Sequence, residues 1–254
     1  MNLPINKQTV LITGAGRGLG SAISQAFYRE GAKVIINYRK SYESAKKLRK
    51  SLGDNAILIQ GDIRNKDEVA RMSKELADQK FTVNTIVHNA INDYKFNGDK
   101  RKKIDEIDWQ DFQNQIETSQ KGFLNLINIF TPNMKKNCFG RFITVGTNLF
   151  QNPVVPYHDY TASKGGLLSI TRTAAIELGQ FNINVNMVSG GLLKITDASK
   201  DTPEEVFDYI KSITPLRKVT TTDDFSDSVL FFASPWSRAV TGQNLIVDGG
   251  LVLN

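Results

Sequence analysis

In Thr9-Val10-Leu11-Ile12-Thr13-Gly14-Ala15-Gly16-Arg17-Gly18-Leu19-Gly20, a β-branched apolar run gives way to alternating glycines. The run has the composition of a short strand buried on both faces. Past the glycines, Ala22, Ile23, Ala26 and Phe27 recur at helical spacing and mark one apolar face. Strand, glycine turn and helix in that order form a cradle for phosphate. Glycines let the backbone bend tightly and approach a pyrophosphate, and the helix N-terminus supplies unpaired N–H groups and positive dipole. The spacing is Thr-Gly-x-x-x-Gly-x-Gly, distinct from the commoner G-x-G-x-x-G.

Outward from this unit the alternation repeats. Apolar strand patterns fall at 32–37, 56–60, 83–87, 141–145, 183–188 and 244–247, and helical patterns at 42–52, 66–79, 108–135, 157–179, 203–211 and 223–233. Repeated βα units of this length predict an α/β fold, a doubly wound parallel sheet of about seven strands with helices on both faces. No repeat, low-complexity tract or linker interrupts it, so residues 1–254 read as a single domain. Ligands of such sheets bind beyond the strand C-termini, where Gly14, Asp62 and Asn89 fall. The irregular segment 189–215 is expected to cover that edge as a lid.

Composition narrows the function. The 254 residues are 40% hydrophobic and 23% charged, enough to bury a large core. A net charge of +6 is spread along the chain, and its densest cluster, Lys100-Arg101-Lys102-Lys103, runs straight into acids, which argues against nucleic acid as a partner. One cysteine, Cys138, excludes an internal disulfide, and His88 and His158 are too few for a zinc ligand set. No apolar run approaches the roughly 18 residues that span a bilayer, and no signal-like segment opens the chain. A cytoplasmic protein without a membrane partner is expected.

At the end of the second strand pattern, about 20 residues past the glycines, an acid would grip a ribose 2′-hydroxyl. Tyr38 stands there instead, followed by Arg39, and Arg17 lies in the glycine turn. Two guanidinium groups suit a 2′-phosphate, so the cofactor expected is NADP(H) rather than NAD(H). The chemistry points to Tyr160 and Lys164, which share a helix face. An ammonium at that distance is expected to draw the phenol's pKa down from its free value of about 10. Such a phenol exchanges a proton with an alcohol or carbonyl, and Thr147 offers a hydroxyl that reaches the same point.

Thr13-Gly14-x-x-x-Gly18-x-Gly20, Asn89-Ala90, Tyr160-x-x-x-Lys164 and Thr241-Gly242-Gln243-Asn244-Leu245-x-Val247-Asp248-Gly249-Gly250 occur in one order and in register. Together they resemble the short-chain dehydrogenase/reductase family of Rossmann-type, single-domain oxidoreductases, and within it the bacterial 3-oxoacyl-(acyl-carrier-protein) reductase branch. The resemblance implies Tyr160 as acid/base, Lys164 as its tuning charge and ribose ligand, and Thr147 in place of a serine. It places Ser119 where the family has an asparagine that steadies a proton-relay water. It gives Gly14, Arg17, Gly18, Leu19 and Gly20 to the pyrophosphate turn, Tyr38 and Arg39 to the adenosine phosphate, and Asp62 with Ile63 to the adenine. Asn89-Ala90 would lie along the ribose and Leu193 at the carboxamide. Ile91 stands where the family has glycine, and Gly190-Gly191 where it has Pro-Gly, a change expected to loosen the root of the lid.

The activity implied is NADPH-dependent reduction of a small-molecule carbonyl, a β-keto acyl thioester on a carrier protein being the leading substrate. Leu149, Phe150, Val154, Val155, Leu192 and Phe207 are its expected apolar lining. Oxidation of a sterol, sugar or polyol is the alternative, and a low-turnover NADP-binding sensor or scaffold a further one. The family also implies a homo-oligomer, a tetramer paired through the helices at 108–135 and 157–179.

Overall fold

The computed structural model describes residues 3–94, 96–194, 196, 199 and 202–253. Strands β1 (Thr9–Ile12), β2 (Lys33–Tyr38), β3 (Ala56–Gln60), β4 (Thr85–His88), β5 (Gly140–Thr147), β6 (Ile183–Gly190) and β7 (Asn244–Val247) form one sheet. Their order is β3-β2-β1-β4-β5-β6-β7, and every pairing is parallel. The chain winds one way from β1 to β3 and the other way from β4 to β7. Between β1 and β4 the loops after the strands diverge and leave a crevice, the switch point at which ligands bind.

Alternation along each buried strand sends neighbouring side chains to opposite layers. Val10, Ile12, Val34 and Ile36 pack with Phe27 of α1 (Gly18–Arg29), Leu48 of α2 (Tyr42–Leu52) and Val229 of α8 (Thr222–Ala233). Leu11, Ile35, Ile86 and Phe142 face the other way, against Met72 of α3 (Lys66–Asp78), Phe123 of α5 (Gly122–Lys136) and Leu167 of α6 (His158–Leu178). Burying a leucine, isoleucine or phenylalanine side chain is worth about 1.5–3 kcal/mol, so these two layers dominate the stability of the sheet.

The helix expected over 108–135 has a fault in it. α4 (Trp109–Ile116), opened by a reciprocal Asp108/Asp111 capping box, runs into a π-helical turn at Glu117–Lys121 before α5 resumes. π-Turns inside helices often mark functional sites, and this one carries Ser119. In the segment after β6, Lys194 pairs with the 220–221 strand edge and α7 (Glu204–Ile213) follows. Residues 195, 197, 198, 200 and 201 of the expected lid lie outside the described residues. Its root is not slack: Gly190 pairs with Thr147 and Val247, and a side chain on Gly191 would meet the Asn148 amide at 2.9 Å.

Candidate active site

The glycine turn forms as its sequence requires. Gly14 has φ +62°, and a side chain on it would press on Ala90. A Cβ on Gly20 would strike the Gly14 carbonyl and lie 2.6 Å from the Asn89 amide nitrogen. That amide donates to the Thr13 carbonyl at 3.0 Å and to the Gly14 carbonyl at 3.3 Å, so Asn89 braces the turn from β4. The Thr13 hydroxyl accepts from the backbone amides of Asn89 (3.1 Å) and Ala90 (3.0 Å), locking the ends of β1 and β4 together. Arg17 caps the start of α1 and is exposed, while Leu19 is packed against the core. A cleft of about 620 Å³ opens beside this turn, lined by Gly18, Ser21, Lys194, Thr196 and Phe207 among others. A dinucleotide fits here: the first turn of α1 leaves backbone amides without helical partners for a pyrophosphate, and the absence of side chains at 14 and 20 lets the turn close tightly against Asn89 and Ala90.

At the adenosine end the structure redistributes the expected roles. Tyr38 follows Val34 and Ile36 onto the α1/α2 face; its ring is buried and sits 5.8 Å from that of Tyr42. The Tyr38 ring therefore packs with the core. Arg39 is half-buried with its guanidinium 3.8 Å from Asp62 and 3.5 Å from Asp93. Arg64 grips the Asp62 carboxylate through both oxygens, the shortest contact being 2.6 Å. Burial alone would raise the Asp62 pKa, but the Arg64 hydrogen bonds and the Arg39 charge hold it below the ordinary carboxylate value. Asp62 thus stands ionised at the rim. Ile63 is buried beneath it, its carbonyl held by Asn125 at 2.8 Å. Leu193 packs on the core near Gly190, and Ile91 is exposed.

Tyr160 and Lys164 rise from the first turns of α6, both buried. Lys164 Nζ donates to the Val145 carbonyl at 2.7 Å and lies 5.8 Å from the centre of the Tyr160 ring. Burial lowers the Lys164 pKa to about 8. The phenol does not follow the expected direction. Burial pushes Tyr160 up to about 12, with the Thr147 hydroxyl pulling the other way. Desolvation of the phenolate outweighs the nearby Thr147 hydroxyl, and Tyr157 adds to the rise. Burial thus favours the neutral phenol of Tyr160, and Thr147 closes β5 nearby.

The surroundings of that phenol were not visible in the sequence. Tyr94 and Phe96, from the loop after β4, lie 5.2 and 5.3 Å from its ring, and each also meets Tyr157. Asp159, 1% exposed, accepts from the Tyr94 hydroxyl at 3.1 Å and from Arg101 at 2.9 Å, and the Tyr157 hydroxyl accepts from the Gly98 amide at 2.8 Å. This loop is thereby fastened to the start of α6. Of the expected lining, Leu149 and Phe150 are half-buried after β5, whereas Val154 and Val155 border a separate outer groove of about 540 Å³ with Ile104 and Phe112. Phe207 borders the cofactor-side cleft. Asn148 donates to Asp248 at 2.9 Å, and Asp248 accepts from the amides of Gly250, Leu251 and Val252, which ties the C-terminal glycine motif to the end of β5.

Ser119 is placed behind the catalytic helix, not in the open site. Its hydroxyl donates to the Gln115 carbonyl at 2.9 Å and approaches the Ser163 carbonyl at 3.4 Å, and its own carbonyl is 2.9 Å from His88 Nε2. Among the described residues no cluster of histidine, cysteine and carboxylates could hold a metal, and no helix is long and apolar enough to cross a membrane.

Comparisons with known proteins bear on the family and the fold. The family model described as enoyl-(acyl carrier protein) reductase matches residues 14–252. The 3-oxoacyl-(acyl-carrier-protein) reductase FabG of Staphylococcus epidermidis is 31% identical over 249 residues, covering 97% of this chain and 99% of its own. Among solved structures, a gluconate 5-dehydrogenase from Burkholderia cenocepacia in complex with NADP and tartrate superposes with a TM-score of 0.87 at 23% identity, over 98% of this chain and 96% of that one. A glucose/ribitol-type short-chain dehydrogenase/reductase from Brucella melitensis gives 0.88 at 23%, over 100% and 99%. At that identity the two structures establish the fold alone.

Proposed function

The chain belongs to the short-chain dehydrogenase/reductase family, and on that premise we propose that it is an NADPH-dependent reductase of a 3-oxoacyl thioester or similar β-keto compound. Oxidoreduction between CH–OH and C=O on a nicotinamide cofactor is the family's chemistry; direction and substrate are what the proposal adds. The observation that carries it is the placement of Tyr160, a buried phenol whose ring centre lies 5.8 Å from Lys164 Nζ, in surroundings that favour its protonated, donor form. A proton donor is what a carbonyl needs when it becomes an alkoxide; oxidation of an alcohol needs the phenolate instead.

In this reading Thr147 orients the carbonyl oxygen and Tyr160 delivers its proton there as negative charge develops. Lys164, anchored on the Val145 carbonyl, keeps an ammonium beside the phenol and stabilises the phenolate left behind. Bound along the glycine turn, the nicotinamide supplies the hydride. Arg17 and Arg39, with no acid at the end of β2, support NADPH over NADH. The likeness to the Staphylococcus reductase supports a β-keto thioester. Trp109 and Ile176 on the long helices and Trp236 near the last strand are 69%, 85% and 80% exposed, which supports a homotetramer covering them; light scattering tests that.

The test is a screen of NADPH oxidation with acetoacetyl thioesters, free β-keto esters, quinones and steroids, alongside NADP+ reduction with sugars and polyols. The highest kcat/KM is expected for an acetoacetyl thioester. Turnover confined to polyols would transfer the assignment to the dehydrogenase alternative, and tight NADPH binding with no turnover would make the chain a sensor.

A further inference from the structure

His88 is a buried titratable group that the chemistry above does not use. It closes β4 with its ring fully buried and stacked on Phe123 at 5.5 Å. Both ring nitrogens have partners: Nδ1 is 3.4 Å from the Thr13 hydroxyl, and Nε2 is 2.9 Å from the Ser119 carbonyl. The network fixes the tautomer. Thr13 Oγ1 already accepts from the Asn89 and Ala90 amides, so its hydrogen is free to be given away, and Nδ1 is the acceptor. Nε2 therefore carries the proton and donates it to Ser119. The uncharged form is the stable one, since burial and the charge of Lys164 both oppose protonation.

The Ser119 carbonyl sits in the π-helical turn, where regular helix pairing is broken. From the same turn the Ser119 hydroxyl and the Gln120 amide reach the Ser163 carbonyl at 3.4 and 3.2 Å, one residue before Lys164. A side chain on Gly166 would strike Gln120, so α6 and the turn are in close contact there. A polar chain thus runs Thr13–His88–Ser119–Ser163, from the floor of the cofactor cleft to the lysine-bearing turn of α6.

We infer that His88 is a positioning residue for the Tyr160–Lys164 pair: its Nε2–H holds the Ser119 carbonyl and sets the π-turn on which the Ser163–Lys164 stretch of α6 rests. The inference depends on Tyr160 and Lys164 being the reacting pair, as proposed above. Two substitutions separate the ends of the chain. His88→Gln brings an amide nitrogen near the place of Nε2 and keeps the donor to Ser119; His88→Asn reaches only as far as Nδ1 and keeps Thr13 alone.

With NADPH and an acetoacetyl thioester, His88→Gln should retain kcat within about threefold. His88→Asn should lose about tenfold or more, because misplacing catalytic groups by an ångström costs up to about a hundredfold. NADPH affinity should stay within a few-fold in both, and the high-pH limb of kcat should move in His88→Asn only. In the wild type, which has two histidines, a nitrogen-15 correlation spectrum should show one buried ring protonated at Nε2, bare at Nδ1 and not titrating near pH 6. An Nδ1–H tautomer overturns the inference, and so does equal kcat with equal pH profiles in the two variants. Should the wild type oxidise no NADPH with any substrate, the reductase reading falls, and the spectrum still decides the tautomer on which His88's role rests.

Discussion

The turn that cradles the cofactor and the wall that encloses the phenol are built from different materials. Around Gly14–Gly20 the geometry is backbone geometry: a left-handed φ at Gly14, no room for a side chain on Gly20, and Asn89 bracing two carbonyls. Around Tyr160 it is side-chain geometry: Tyr94 and Phe96 pack on the ring, Tyr157 packs on both of them, and Asp159 fastens their loop through Tyr94 and Arg101. Backbone sites recognise what every dinucleotide shares. Side-chain walls can differ from one family member to the next without disturbing the sheet, so in the proposed reading the turn would carry the common chemistry and the wall the choice of substrate.

The contrast has measurable consequences. The largest is expected at the phenol: Tyr160→Phe keeps the ring in its aromatic cage and removes only the hydroxyl with its proton. Turnover should drop by about a thousandfold or more while NADPH binding, read by fluorescence titration, stays within a few-fold. An equal loss of both would mean that the two regions are not separable. Next comes the turn: Gly20→Val places carbon where the Gly14 carbonyl and the Asn89 amide stand. NADPH affinity should weaken by about a hundredfold, the equivalent of about 2.7 kcal/mol, and retained affinity would show that the backbone cradle is not the binding element.

A smaller effect is expected from Asp159→Ala, which leaves Arg101 and the Tyr94 hydroxyl without their buried acceptor. Breaking a fully buried pair costs about 3–5 kcal/mol; because Arg101 keeps some contact with water, a loss of about 2 kcal/mol in denaturant unfolding is expected. NADPH affinity should not change. If it falls as well, the loop after β4 serves the cofactor as much as the substrate.

The sheet was legible because its strands are short, apolar and separated by helical patterns, and hydrophobic periodicity reports on burial directly. All seven strands fall where the sequence put them, with ends displaced by a few residues where β5 and β6 extend to Thr147 and Gly190. The glycine turn and the Tyr160/Lys164 pair were legible for a similar reason, each being a local spacing. What could not be read is long-range. No local pattern says that Tyr94 and Phe96 reach Tyr160 across some 60 residues, or that the ring of Tyr38 packs with the core. The direction of the Tyr160 shift is the plainest case: the lysine was visible in the spacing, whereas burial, which raises the phenol's pKa, is a property of the folded surroundings. His88 gave one usable signal, a histidine at the end of a buried strand, whose partners only the fold supplies.

The central claim is that a buried, protonated phenol beside a charged lysine drives reduction. It is tested most directly by the pH dependence of kcat in both directions on one keto/hydroxy pair. Lys164 carries its charge below about pH 8 and loses it above, while Tyr160 keeps its proton to about 12. Reduction should therefore run at its full rate at neutral pH and decline through pH 8, and oxidation should be slow at neutral pH and quicken as the medium turns alkaline. A reduction rate that climbs through pH 8 would contradict the account, because the proton would then be coming from somewhere other than Tyr160.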